Sequence, residues 1–186
     1  MYETFGKFPE FEKLLSLFRS HCAGLGLEPT RFVVVGSGVL AVHGLREVHD
    51  LDLVAMPDAW AKLSQFSLGE ANYMGGSSKR IHVLHNIECF NTVDVPNMQS
   101  DVAEWAQPYT WRKPRDVRWR MGSNELHARA ELIGGLRYQP LEDFHAMKLG
   151  MDRPKDKADV VLAAKRLEEI KWDLEAWHKD KREPPL

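Results

Sequence analysis

The sequence predicts an α+β fold: a mixed β-sheet flanked by helices, with a C-terminal helical part. Three observations predict it. Two short runs in the first half, 31–35 (RFVVV) and 50–55 (DLDLVA), are β-branched or alternating. Segments 80–84 and 87–93 follow as a strand pair around the turn His85-Asn86. Apolar residues at three- and four-residue steps mark helices at both ends of the chain.

The elements follow in order. Over 9–23, Phe11, Leu14, Leu15, Phe18 and Cys22 make one helical stripe, with Gly24, Gly26 and Pro29 as stop signals. Strand 31–35 runs straight into Gly36-Ser37-Gly38, and a short helix begins there. Strand 50–55 comes next, and Pro57 opens a helix through Leu63 with Trp60 and Leu63 on one side. Residues 75–78 (GGSS) form a loop, and 96–107 fits a helix around Val102 and Trp105. Alternation over 126–133 predicts a further strand ended by Gly134-Gly135. A helix runs from Pro140 through Met147, and a long one over 155–178 carries Val160, Ala164, Leu167, Ile170, Leu174 and Trp177. No repeat or linker divides the chain. It is expected to be one domain over 1–186: a helical segment 1–30, a sheet region 31–139 and C-terminal helices 140–178.

Composition bounds the function. With 186 residues, 44% hydrophobic and 28% charged, the chain can bury a core and is not a disordered one. A net charge of −2 confines any nucleic-acid contact to a local basic patch. The only cysteines, Cys22 and Cys89, exclude a disulfide framework and a Cys-rich zinc site. Cys22 is expected in the core, and Cys89 packs opposite its strand neighbour Glu88. His43, His49, His82 and His85 have no compelling metal-ligand spacing and are read as structural or surface residues. No apolar run is long enough to span a bilayer, and MYETFGKFPEFEK is unlike a secretory leader, so a cytoplasmic location is expected.

The chemistry concentrates in 33–55. A strand entering Gly36-Ser37 at a helix start offers close backbone approach, N–H groups and a hydroxyl, which suits phosphate. Thirteen residues after Ser37 come Asp50 and, two further on, Asp52. On a strand, i and i+2 share a face about 6.5 Å apart, so their carboxylates repel and at least one pKa rises. A divalent cation relieves that repulsion, and Mg²⁺ takes one or two carboxylates plus substrate phosphates. Glu88, among apolar neighbours on its strand, is the candidate third acid; Asp94, two residues before Pro96, is the alternative.

This pattern of strand, Gly36-Ser37, a twelve-residue gap and Asp50-Leu51-Asp52-Leu53 resembles the nucleotidyltransferase superfamily, the polymerase-β-like fold. Within it the chain is similar to small bacterial and phage nucleotidyltransferases of the abortive-infection toxin and minimal antibiotic-modifying types. A second stretch agrees: Leu141-Glu142-Asp143-Phe144-His145-Ala146-Met147-Lys148, then Asp152-Arg153-Pro154-Lys155-Asp156-Lys157-Ala158-Asp159. The resemblance implies catalysis by Asp50, Asp52 and Glu88 holding two Mg²⁺ ions, for which Mn²⁺ can substitute. It implies that Gly36 and Ser37 grip the phosphates of an NTP such as ATP, with Arg46 and Lys148 as further phosphate contacts. An NMP would pass to an acceptor hydroxyl on RNA or a tRNA end, a small molecule or a protein, and pyrophosphate would leave.

Several features read two ways. Segment 111–120 holds Arg112, Lys113, Arg115, Arg118 and Arg120 against a single acid, Asp116, interleaved with tryptophan. It suits either a nucleic-acid contact or an edge strand blunted by charge. Lys148, Arg153, Lys155, Asp156 and Asp159 also fit helix-start caps and i,i+3 or i,i+4 ion pairs, the reading favoured for Arg153 and Lys155. Trp172 and Trp177 suit core, or an interface with an antitoxin or a second copy. Gly36-Ser37-Gly38-Val39-Leu40-Ala41, with Asp58 further on, also fits a dinucleotide-binding fingerprint. The remaining alternative is a non-catalytic nucleotide- or RNA-binding module, or a toxin–antitoxin partner, of the same fold.

Overall fold

A computed structural model of the protein describes residues 8–66, 71–72, 79–95, 119–151 and 153–180. Helix α1 (Pro9–Leu25) buries the expected stripe of Phe11, Leu14, Leu15, Phe18 and Cys22. Gly26, at φ +60, closes it, and the N–H groups of Gly26 and Leu27 return to the carbonyls of Ala23 and Cys22. Gly24 stays inside the helix, so Gly26 is the effective stop signal. Arg31 belongs to a short 3-10 turn, and β1 is Phe32–Val35. Helix α2 is only Gly38–Val42, β2 is Leu51–Ala55 and α3 is Pro57–Leu63.

A short β3 (Ala71–Asn72), then β4 (Lys79–Leu84) and β5 (Ile87–Phe90), complete one side of the sheet. The run 87–93 is not a single strand. A bend at Asn91 ends β5, and β6 (Thr92–Val95) leaves the main sheet to pair with β7 (Trp119–Gly122) in a separate ribbon. Expectations for 75–78, 96–107 and most of 111–120, including Arg112, Lys113, Arg115 and Arg118, lie outside the described residues. Arg120 lies on β7, opposite Asp94 of β6.

The predicted strand over 126–133 is corrected. Ser123–Arg129 forms helix α4, and only Glu131–Ile133 is a strand, β8. The segment SNELHAR is rich in helix formers, and Leu126 alone of it is buried, so its alternation carries no second sheet face. The turn at Gly134-Gly135 leads into β9 (Leu136–Tyr138). Helix α5 (Leu141–Met151) and α6 (Lys157–Asp180) close the chain, joined by a 3-10 turn at Pro154–Asp156.

The seven-stranded mixed sheet has the order β3-β4-β5-β2-β1-β9-β8. Strand β1 is antiparallel to β2 and parallel to β9, while β2 is parallel to β5. Period-two alternation sorts its side chains onto two cores. Phe32, Val34, Leu51, Leu53, Ile87 and Cys89 join α1 and α3, with the Phe18 and Phe32 rings edge-on at 5.0 Å. Val33, Val35, Val54 and Phe90 join α2, α4, α5 and α6. Asp52 and Glu88 share the second face, in register with each other, and Asp52 is in register with Val35. Among the described residues no helix is long and apolar enough to cross a membrane.

Candidate active site

The site forms where β1 ends and β2 begins. Gly36 has φ +63, a conformation that costs a side-chain-bearing residue about 1 kcal/mol. A Cβ there would lie 2.7 Å from Oδ2 of Asp52. Only glycine lets the turn press against that carboxylate. Gly38 has a parallel reason: a Cβ would lie 2.6 Å from Cγ1 of Val34, so glycine lets α2 sit down on β1. Ser37 Oγ donates to Asp50 Oδ1 at 3.2 Å. The Gly-Ser turn therefore touches both aspartates. Helix α2 has five residues, too few for a substantial dipole, and the N–H groups of Val39 and Leu40 already return to Gly36 and Ser37. Any anion meeting this turn would therefore face its backbone and the Ser37 hydroxyl rather than a long helix end.

Asp50 lies one residue before β2 and is exposed. Asp52 lies within the strand. Burial first, then the charges of Asp50 and Glu88, push its pKa up from 3.8 to about 7, while Lys148 and Lys155 pull the other way. Glu88 is the direct register partner of Asp52 across the parallel β2–β5 pair. The hairpin that carries it is docked by Leu51 N–H donating to the carbonyl of Asn86 at 2.8 Å. Asp94, by contrast, sits on the β6–β7 ribbon. Glu88 is thus the acid the main sheet brings to Asp52.

Glu88 is also engaged elsewhere. Arg80 Nη1 lies 3.3 Å from each of its carboxylate oxygens, and His82 Nδ1 lies 3.4 Å from Oε1. His82, expected as a structural or surface residue, is exposed and neighbours Glu88. Among the described residues no three His, Cys, Asp or Glu side chains converge closely enough to hold a metal ion. The donor chemistry still fits a hard cation. Asp50 and Asp52 offer carboxylate oxygens, burial and then the charge of Asp50 raise the pKa of Asp52, and Mg²⁺ takes one or two carboxylates together with phosphate oxygens and water.

The cations behind the aspartates are organised by α5 and α6. Lys148 is buried; its ammonium donates to Asp156 at 2.7 Å and lies 3.3 Å from Asp159. Its charge pulls the pKa of Asp52 down, and its ion pairs with Asp156 and Asp159 engage the ammonium expected as a phosphate contact. Arg46, half-exposed, reaches Asp159 at 3.3 Å. Arg153 pairs with Asp156 through Nε and Nη2, as an i,i+3 ion pair. Burial raises Asp156, but hydrogen bonds from Arg153 and Lys148 outweigh it and hold its pKa below the usual range. Asp156 and Asp159 are thus interior anchors of the cation group. Lys155 is exposed, and its charge reaches Asp52. It stands in the 3-10 turn before α6, in keeping with its reading as a helix-start residue.

The dinucleotide-binding alternative is overturned. That site needs a parallel β-α-β crossover, whereas β1 and β2 are antiparallel around a five-residue helix. Asp58 is committed to Arg31 at 3.1 Å on α3. Comparison with protein-family models, with curated proteins and with solved structures found no match.

Proposed function

We propose that the chain is a divalent-metal-dependent nucleotidyltransferase of the polymerase-β-like fold, moving an NMP unit from an NTP to an acceptor hydroxyl. The observation that carries this reading is the contact between the glycine turn and the paired aspartates. Gly36 packs against Asp52 so closely that no Cβ fits, and Ser37 donates to Asp50. A phosphate held by that turn lies beside both carboxylates.

Asp50 and Asp52 would hold the ions, and Glu88 would join them from the neighbouring strand. When bound, Mg²⁺ or Mn²⁺ supplies Lewis acidity at the triphosphate and orients the attacking and leaving oxygens. The Gly36-Ser37 turn orients the β- and γ-phosphates, and Lys155 and Arg46 offset their charge. Lys148 offsets the carboxylates from behind. The acceptor oxygen forms its bond to the α-phosphorus as the bond to the bridging oxygen breaks. Pyrophosphate leaves with that electron pair, and the hydroxyl proton passes to a carboxylate, Glu88 being on the acceptor side. Positioning and charge neutralisation supply most of the rate.

The test incubates the protein with α-labelled NTPs, Mg²⁺ and a panel of total RNA, tRNA, small polyols and protein. Labelled acceptor with stoichiometric pyrophosphate is expected, and its loss in Asp52→Asn. No pyrophosphate with any acceptor overturns catalysis. One observation favours a second reading, a non-catalytic nucleotide-binding or toxin–antitoxin module: Glu88 is already held by Arg80 and His82. Metal-dependent NTP binding without turnover would select it. A partner or second copy would dock on α6, where Trp172 is 70% exposed.

A further inference from the structure

We propose that the outer face of α6 is a homodimer seam. Two copies lay this helix side by side and antiparallel, about a twofold axis level with Arg166 and Leu167. Val161 then meets the partner's Trp172, and Lys165 meets the partner's Glu168. The proposal does not depend on the nucleotidyltransferase reading.

Burial along α6 defines the seam. Asp159, Ala163 and Leu167 are buried, Asp159 against Lys148 of α5 and the other two in the core of the second sheet face. At 3.6 residues per turn, Val161, Lys165, Glu168 and Trp172 lie on the opposite side of the helix. All four are exposed, Val161 at 67% and Trp172 at 70%. Their steps of four, three and four residues are those of a coiled-coil seam. The charges beside the seam are already engaged, Arg166 holding Glu169 at 3.1 Å. Among the described residues neither Lys165 nor Glu168 has an ion pair. Their order, lysine before glutamate, is the less favourable one for pairing within a single helix.

The partner is a second copy because the seam complements itself. It reads apolar, basic, acidic, apolar, and in reverse apolar, acidic, basic, apolar. In an antiparallel pair, residues equally far from the axis on either side stand level. Val161 and Trp172 are one such pair, Lys165 and Glu168 the other, and symmetry makes each contact twice. Parallel alignment would set lysine on lysine and glutamate on glutamate, so the charges specify the orientation. Charged residues at the centre of such a seam fix register at a cost in affinity. Four residues a side also make a short contact, spanning roughly 16 Å of helix. The dimer is therefore a weak, concentration-dependent one.

Sedimentation equilibrium of the full chain over a concentration series tests this, with circular dichroism to check that each variant folds. Wild type should pass from monomer to dimer. Lys165→Glu sets like charges across the axis and should weaken the dimer about tenfold, and Glu168→Lys should do the same. An equimolar mixture of these two variants should dimerise again, to within about threefold of wild type, because each offers the charge the other lacks. The double variant Lys165→Glu/Glu168→Lys should recover in the same way. Trp172→Ala should weaken the dimer at least about tenfold, since an aromatic anchor is lost twice. Recovery in the mixture supports the antiparallel seam, and a mixture that stays monomeric overturns it. A dimer that Trp172→Ala leaves unmoved, or single charge variants that each self-associate as wild type does, places the contact elsewhere and also overturns it. So does wild type that stays monomeric up to about 1 mM, whether or not α6 captures an unrelated protein instead.

Discussion

At Gly36 a single hydrogen atom separates a working turn from a collision. Gly36→Ala must accept a left-handed φ and move the Asp52 carboxylate, 2.7 Å from the new Cβ. We expect a thermal shift corresponding to about 1–3 kcal/mol and at least a tenfold loss of NTP affinity, read by calorimetry. Asp52 gives a test of opposite sign. Its pKa is raised to about 7, so the folded protein retains a proton that the unfolded chain releases near pH 4. Stability from this group is fully present below the unfolded value and is lost as pH rises through about 7. Asp52→Asn should therefore raise the melting temperature of the metal-free protein at pH 8 and leave it unchanged near pH 3.5. The ceiling is about 4 kcal/mol. The same variant should abolish transfer, so stability and activity part company at this residue. The nearness of Gly36 to Asp52 and of Ser37 to Asp50 follows the spacing of the two aspartates, although Asp50 lies one residue before β2 rather than on the strand. The capture of Glu88 was not legible in the sequence. It depends on which β4 residues lie across from it, and a register shift between His82 and Leu84 sets that pairing.

The elements that carry the cations were legible as helices but not as carriers of buried charge. Helical spacing places Asp159 on the inward side of α6 with Ala163 and Leu167, where it meets Lys148 from α5. Apolar periodicity alone gives no sign that a carboxylate occupies that stripe. Removing one member of such a group costs more than its net contribution, because an unpaired charge stays behind. Asp156→Ala should thus destabilise the protein by about 3–5 kcal/mol in denaturant melts. The triple change Lys148→Met, Asp156→Leu, Asp159→Leu should recover much of that stability and none of the activity. Helix α5 also buries His145, whose pKa burial pushes down to about 4. The neutral ring is the folded form. Stability from it is present above pH 6.5 and lost as pH falls toward 4, so acid melts should show a decline there that His145→Gln flattens. The strand expected over 126–133 failed for a related reason. Alternation in a short segment cannot show which phase meets a core, and only Leu126 of α4 does.

Across the whole molecule, one sheet serves two purposes. Its α1 and α3 face is apolar throughout the central strands, whereas its other face gives way from Val33, Val35 and Val54 to Asp52 and Glu88. Burying one face fully fixes the register, because a one-residue slip would carry the acids into the core. The acids can then remain at the open end of the second face without blurring the fold. The α+β class and a mixed sheet were legible from alternation and turn residues. The separate β6–β7 ribbon was not, since a single bend at Asn91 creates it. The central claim is that this sheet end holds a hard cation and a triphosphate together. Titration calorimetry of an NTP into the protein, in Mg²⁺ and again in excess EDTA, tests it most directly. The account predicts uptake in Mg²⁺ that disappears in EDTA and in Asp52→Asn; equal uptake in EDTA, or none with any of the four NTPs in Mg²⁺, would contradict it.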